Sequence, residues 1–302
     1  PFSVYRTFVI EARFGFNRTS AATFVKDRLK SLVLILLLGT PVLGAILWFF
    51  AQAGVHAWWM CWAVVTAVTL GLQFVAPTWI MPLFNRFEPL AEGELKSAIF
   101  DYARRIGYPL SNVMVMDGSK RSAKANAFFT GFGRNKRIVL FDTLVESYAT
   151  EELLAILAHE MGHYKLRHIH KMTAIGVLQM GLMFFVLSLF ISQQGLFQAF
   201  LVTTPSVHAG LVFFSLLFTP LDTLLSLFGN HLSREHEYAA DQFAARSLAA
   251  TPLATALKKL SVQNLSNLTP HPFFVFLHYS HPPILQRLEA IEFREAQAVP
   301  AG

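Results

Sequence analysis

The sequence predicts a mainly α-helical, multi-pass membrane protein with a small cytoplasmic β-hairpin or sheet and an HExxH helix of catalytic type. Three observations lead there. The chain is unusually apolar: 54% of its residues are hydrophobic and its mean hydropathy is +0.44, where soluble domains have about 45–50% apolar residues. Four stretches, 32–53, 58–84, 173–191 and 207–228, reach the roughly 17–25 residues that a helix needs to cross a bilayer. Between the second and third lies His159-Glu160-Met161-Gly162-His163, with two histidines on one helical face and a glutamate beside them.

Charge orients the spans. No Lys or Arg occurs in 31–85 or 172–233, so all 25 basic residues fall in 1–30, 86–171 and 234–302. The connectors near 54–56 and 192–206 carry no formal charge. By the positive-inside rule the three basic segments face the cytoplasm and the two connectors face the other side. The net charge of +6 is then explained by orientation and contact with anionic lipid, without a nucleic-acid partner. The single cysteine, Cys61, lies in an apolar run, so no disulfide framework exists and no redox compartment is indicated.

The expected organisation is a cytoplasmic leading segment (1–30), two transmembrane helices (31–84), a cytoplasmic region with a β-hairpin and the HExxH helix (85–171), two further transmembrane helices (172–229) and a cytoplasmic helical region (230–302). The chain starts at Pro1 without an initiator Met, and 1–30 is neither a signal nor a transit peptide. The expectation is a piece of a longer protein with further spans upstream.

In order along the chain, Phe14-Gly15-Phe16-Asn17 reads as a turn and 22–30 as a short helix leading into the first span. After the second span, 89–106 has apolar residues at helical spacing, with Gly107 suited to end it in the left-handed conformation. Residues 112–116, 125–130 and 136–141 read as strands, the last two joined by a hairpin-like 131–135. Thr150 is a good N-cap, with Glu151 and Glu152 set favourably against the dipole of a helix that carries HExxH and can run on into the third span. Residues 230–249, 254–265 and 282–296 read as further helices. There is no internal repeat and no low-complexity tract.

HExxH places two imidazoles on one metal and a carboxylate beside it, a layout for activating water and accepting its proton. The bland alternative is a polar face with two solvated histidines. Gly162 costs the helix roughly 1 kcal/mol relative to Ala, which makes sense where a backbone or substrate must approach closely. The metzincin extension fails: Ile169 stands where its third His belongs and Leu166 where its Gly belongs. His168 and His170 lie one residue off on either side and read as solvated.

A better third ligand is Glu237, which with Asp241 forms an ExxxD pair one helical turn apart. Glu237 completes a His₂Glu site with a position left for water. Asp241 can accept a hydrogen bond from the far nitrogen of a ligating histidine. His163 lies about ten residues before the third span and Glu237 about nine after the fourth, so at ~1.5 Å per residue both emerge on the same side at similar depth. Glu235 is the nearest competitor, and a surface helix with acidic residues four apart is the bland reading.

With these motifs in hand, the chain resembles the integral-membrane type I CAAX prenyl endopeptidase family. The matching stretches are His159-Glu160-Met161-Gly162-His163 and Ser233-Arg234 followed by Glu237-Tyr238-Ala239-Ala240-Asp241. Also similar are Asn126-Ala127-Phe128-Phe129-Thr130-Gly131-Phe132, Arg137-Ile138-Val139-Leu140-Phe141-Asp142-Thr143-Leu144, His278-Tyr279-Ser280-His281-Pro282-Pro283 and Phe8-Val9-Ile10-Glu11. Family members carry about seven spans, and the two expected before Pro1 are absent from this sequence. The resemblance implies one zinc ion held by His159, His163 and Glu237, Glu160 as general base and acid, and a water-filled chamber walled by helices.

It also implies a substrate-binding edge strand at 125–129, with Asn126, Ala127 and Phe128 meeting the peptide, and a polar pair, His281 and Arg287, near the site. Each has a plainer alternative. Asn126 can be a turn residue, His281 can simply lead into a helix, and Arg287 can pair with Asp241 or Glu237. The implied substrate is a peptide or the C-terminus of a prenylated protein, and the implied setting is the ER membrane or a bacterial inner membrane, with the site on the cytoplasmic side.

Other functions are weighed against this. A protease of the same fold can clear misfolded membrane proteins. A metal-ion transporter would place its ligands near the bilayer midplane, yet Asp222 is the only formal charge within the four spans. An inactive scaffold has no use for Glu160. Lys120, Arg121 and Lys124 form a basic loop suited to lipid head groups, and the Phe-rich stripes suit lipid or neighbouring helices.

Overall fold

The computed structural model describes residues 1–130, 136–191 and 193–298. Among the described residues, four helices are long and apolar enough to cross a membrane: Ala21–Gln52, Gly54–Leu83, His168–Phe190 and Val207–Ser247. Their apolar windows bury at most 17% of their residues inside the protein, and side chains such as Ile35, Leu37, Leu178 and Leu224 are more than half exposed. Surface of that kind needs a lipid solvent, and helices satisfy their own backbone polar groups there. Two of the spans widen locally to π geometry, at Ile35–Gly39 just before Pro41 and at Ala76–Ile80 around Pro77. A proline ring cannot follow a regular turn or donate to it, and a local change of hydrogen-bond register accommodates the defect.

The chain divides into two compact units, each built from segments far apart in sequence. The unit of residues 25–75 and 169–229 holds the apolar parts of the spans. Its small core gathers Cys61, Phe184, Leu187 and Phe214. Trp62 donates its indole N–H to the Val177 carbonyl at 2.9 Å.

The second unit, residues 1–24, 76–168 and 230–302, carries a four-stranded sheet: β1 (Phe87–Pro89), β2 (Leu110–Met116), β3 (Ala127–Thr130) and β4 (Lys136–Phe141), in the order β1-β2-β4-β3. β2 and β4 run parallel, with Met114 opposite Val139, and both edges are antiparallel, with Ala127 opposite Leu140 in β3. β3 is thus an edge strand, two residues later in its start than the sequence suggested. The hairpin-like connection expected at 131–135 lies outside the described residues.

Helix Thr150–Lys165 runs through the core of this unit. Leu153, Leu157, Ala158 and Met161 pack with Ile99 and Tyr102 of helix Glu94–Arg105, Val113 of β2, Ile138 and Leu140 of β4, and Leu253 and Leu257 of helix Ala250–Gln263. Gly107 does end the preceding helix at φ 63°.

Two expectations are corrected here. Thr150 is the first helical residue and Ala149 the N-cap, and Ala149 has no side chain that accepts a hydrogen bond. The Glu152 carboxylate instead reaches back to the Ala149 N–H at 2.9 Å, and Lys259 anchors it at 2.8 Å. This is half of a capping box.

The HExxH helix also does not run on into the third span. It stops at Lys165, Arg167 takes φ 58°, and a new helix begins at His168. Neither glycine nor proline marks this break.

Among the described residues, four further helices had no sequence signal: Gln194–Ala199, Asp142–Ser147, Pro272–His278 and the helical start formed by Phe2–Tyr5 with Arg6–Glu11. The last three of these belong to the second unit. There Asn230 and Arg234 donate to the carbonyls of Leu277, Val275 and Tyr279, which ties down a short helix too brief to read by periodicity.

Candidate metal centre

His159 and His163 project from one face of helix Thr150–Lys165, and Glu237 meets them from helix Val207–Ser247. One ligand-capable atom from each of the three lies within 4.8 Å of the others. The two Nε2 atoms are 3.1 Å apart, His159 Nε2 is 3.5 Å from Glu237 Oε2, and His163 Nε2 is 3.3 Å from Glu237 Oε1. Two imidazole nitrogens and one carboxylate oxygen facing a common point suit a borderline divalent cation.

The far side of His159 is equally well defined. Its Nδ1 lies 2.8 Å from Asp241 Oδ1, so the ring donates outward and leaves Nε2 free to face the common point. Arg287 grips Asp241 with Nε at 2.8 Å and Nη2 at 2.6 Å, a bidentate pair. Its Nη1 lies 3.6 Å from Glu237 Oε2. Of the two roles the sequence left open for Arg287, this geometry fits the salt bridge, because two of its three nitrogens are committed to Asp241. Glu237 and Asp241 are both buried, and both face Arg287 and His159; a cation held by the three ligands would take over the charge balance when it displaces the His159 proton.

Electrostatics follow from these contacts. Burial alone would lower the pKa of His159, but its hydrogen bonds to Asp241 and Glu237 outweigh burial and raise it to about 9. A metal ion must displace that proton. Burial raises the pKa of Glu160, followed in size by His159 and His163, which lower it, while Glu237 raises it and Arg287 lowers it. An upward shift of this kind makes a carboxylate a stronger base, which suits a group that takes a proton from water. Burial also acts to lower the Arg287 pKa, and Asp241 more than reverses it.

Close approach of the two helices depends on Gly162. A Cβ there would lie 3.3 Å from the Ala240 backbone and 3.1 Å from the Phe243 ring. Gly162→Ala is therefore expected to weaken divalent-metal affinity about tenfold, at the lower end of the 1–3 kcal/mol typical of overpacking, despite its better helix propensity. Chelator competition measures this; unchanged affinity in a more stable protein would show that the neighbours yield freely.

The other sequence candidates fall as follows. Glu235 is exposed and stands outside the three-residue group, beside Tyr238, Gln242, Gln286 and Glu289. His281 is largely exposed, with Nε2 3.4 Å from Glu237 Oε1 and Nδ1 2.9 Å from Ser280 Oγ. Asn126 is exposed, its side-chain oxygen accepts from the Ala127 N–H and its carbonyl accepts from Phe141 N–H. Ala127 and Phe128 lie in β3, which touches the HExxH helix. His170 is exposed as expected.

His168 is not solvated. Only 4% exposed, it lies 3.1 Å from His163, Nδ1 to Nδ1, and stacks on His236 at 3.9 Å. Sequence reasoning passed over His236 altogether, and no spacing rule would have joined these rings across the break at Arg167.

The chain is similar to known proteins along nearly its whole length. Residues 89–295 match the family described as peptidase family M48, and residues 1–86 match the family described as CAAX prenyl protease N-terminal, five membrane helices. The chain is 40% identical over 294 residues to a CAAX prenyl protease 1 homolog of Oryza sativa subsp. japonica, covering 97% of this chain and 69% of that protein. It is 36% identical over 309 residues to CAAX prenyl protease 1 of Saccharomyces cerevisiae, covering 97% and 68%. The crystal structure of S. mikatae Ste24p superposes with a TM-score of 0.91 at 36% identity, over 97% of this chain and 72% of that one. The chain thus belongs to peptidase family M48, in its multi-pass membrane CAAX prenyl protease branch, and is a metal-dependent protease.

Proposed function

We propose that the chain is a zinc endopeptidase that cuts near the C-terminus of prenylated proteins, with its site on the cytoplasmic face of the membrane. The observation that carries the chemistry is the convergence of His159 Nε2, His163 Nε2 and a Glu237 oxygen. Zinc held by these three supplies Lewis acidity to water and to the scissile carbonyl. Glu160 takes the proton of the attacking water and returns it to the leaving amine as the C–N bond breaks. Asp241 fixes the tautomer of His159, and Arg287 acts through Asp241 as a positioning residue. His281 donates a hydrogen bond to the oxyanion that develops on the carbonyl.

Asn126, Ala127 and Phe128 take the substrate at the free edge of β3, where an extended peptide adds as a strand. The cytoplasmic assignment rests on the basic segments 1–30, 86–171 and 234–302, which contain every residue of this site. The prenyl preference rests on the relatives, several of which bear the name CAAX prenyl protease 1.

The test uses the full chain in lipid nanodiscs with Zn²⁺, a farnesylated C-terminal peptide and its unmodified counterpart, with release of the last three residues read by mass spectrometry. The farnesylated peptide is expected to be cut at least about tenfold faster, well within what burial of a prenyl chain at ~0.8 kcal/mol per carbon group can supply. Equal rates would remove prenyl selectivity and favour clearance of unfolded membrane chains.

A further inference from the structure

The two histidines at the candidate centre are held from behind by different means. His159 is backed by a carboxylate, Asp241, which is itself clamped by Arg287. Among the described residues, no carboxylate is paired with the far nitrogen of His163. Its Nδ1 instead meets His168 Nδ1 at 3.1 Å, with the two rings steeply inclined at 73°. The opposite side of His163 is committed, because its Nε2 faces both His159 and Glu237.

From this juxtaposition we propose that His168 is a positioning residue for His163: its Nδ1 accepts the His163 Nδ1–H and so presents the His163 Nε2 lone pair to the metal. The reading rests on the metal centre proposed above. The proton assignment follows from elimination. A neutral imidazole carries one N–H, and a ligating Nε2 cannot hold it. The hydrogen must therefore sit on His163 Nδ1, within hydrogen-bond reach of His168 Nδ1 at 3.1 Å. For that nitrogen to accept, His168 must carry its own hydrogen on Nε2.

Packing keeps this acceptor in place. His168 is 4% exposed and lies flat against His236, with ring centroids 3.9 Å apart and planes 10° from parallel. His236 directly precedes Glu237 on the same helix, so the element that supplies the third ligand also supplies the surface that steadies the support of the second. The break at Arg167, with φ 58°, is what allows His168 to turn back toward His163. On an uninterrupted helix, a residue five positions on would lie well round from the face shared by His159 and His163.

A neutral imidazole acceptor orients a ligand without adding charge. A carboxylate in the same place would raise ligand basicity as well. The pairing here therefore gives the centre one strongly backed histidine and one that is oriented by a neutral group.

The experiment titrates the metal-depleted full chain in detergent with Zn²⁺ against a chelator of known affinity, so the readout does not depend on activity. His168→Phe keeps an aromatic ring against His236 but removes the acceptor, and Zn²⁺ affinity is expected to fall about 10- to 100-fold, the range found when support of a metal ligand is lost. His168→Asn places an amide oxygen close to where Nδ1 lies and is expected to recover most of the loss. His236→Phe preserves the stack and is expected to bind Zn²⁺ like the wild type. Thermal unfolding of the metal-free proteins controls for folding, and if His168→Phe does not fold, His168→Asn against His168→Ala carries the same comparison.

Equal affinity of wild type and His168→Phe would overturn the proposal, as would an equal loss in the Phe and Asn variants, which would point to packing alone. A wild-type protein that takes up no Zn²⁺, or a Glu237→Gln variant that binds it equally well, would overturn the metal centre itself. These outcomes are distinguishable from a failure of His168 alone.

Discussion

Glu160→Gln is expected to keep its metal and lose about a thousandfold or more of peptidase activity. The residue lies beside the ligands without belonging to the three-atom group, so its replacement leaves the metal-binding atoms in place. Glutamine has nearly the same shape but cannot take a proton from water, and positioned proton transfer accounts for roughly 10²–10⁴ in rate. Metal content by atomic spectroscopy should equal that of the wild type, while turnover falls to background.

The pH dependence has a definite sign. Burial raises the pKa of Glu160, and only the deprotonated form can act as a base, so wild-type kcat/KM falls as pH drops through that raised value. A bound cation draws the value back down, and the acidic limb reports the balance of the two. Substantial residual activity in Glu160→Gln would reject Glu160 as the base.

Glu237→Gln is the second large effect, and it acts on the metal itself. The substitution removes an anionic ligand atom and one of two buried carboxylates that face Arg287. Breaking a buried charge pair costs about 3–5 kcal/mol, so Zn²⁺ affinity should drop by at least about 10²-fold and activity should vanish with the metal. Glu235→Gln is the matched control. Glu235 lies two residues away on an exposed face, and its loss should change neither metal content nor rate. A Glu237→Gln protein that keeps its metal through chelation, or an Glu235→Gln protein that loses it, would reverse the assignment of the third ligand.

The extent to which the site could be read from sequence follows from how each part is encoded. His159 and His163 share a face because a helix repeats every 3.6 residues, and the long apolar runs flanking them are a local property of composition. Glu237 was accessible through the ExxxD spacing, which points both acidic groups one way. β4 stands at 136–141 as expected, because alternation along a short strand is also local.

The misses share a different cause. Thr150 looks like a cap, but the chain uses Glu152 held by Lys259, a residue more than a hundred positions away. Pro272–His278 is too short for periodicity and is stabilised by side chains of Asn230 and Arg234.

By itself the sequence determined the apolar spans, the helical faces carrying HExxH and ExxxD, and strands β2 to β4 to within two residues, because each depends on residues within a few positions of one another, whereas β1 fell where a helix was expected to begin. Tertiary structure alone decided that Arg287 closes on Asp241, that Gly162 lies against the Ala240 backbone, and that the helix breaks at Arg167 so that His168 meets both His163 and His236. The physical reason is that these contacts join groups whose mutual distance no local repeat encodes. A left-handed turn at an arginine is unfavourable on its own, so no local preference of the sequence announces it.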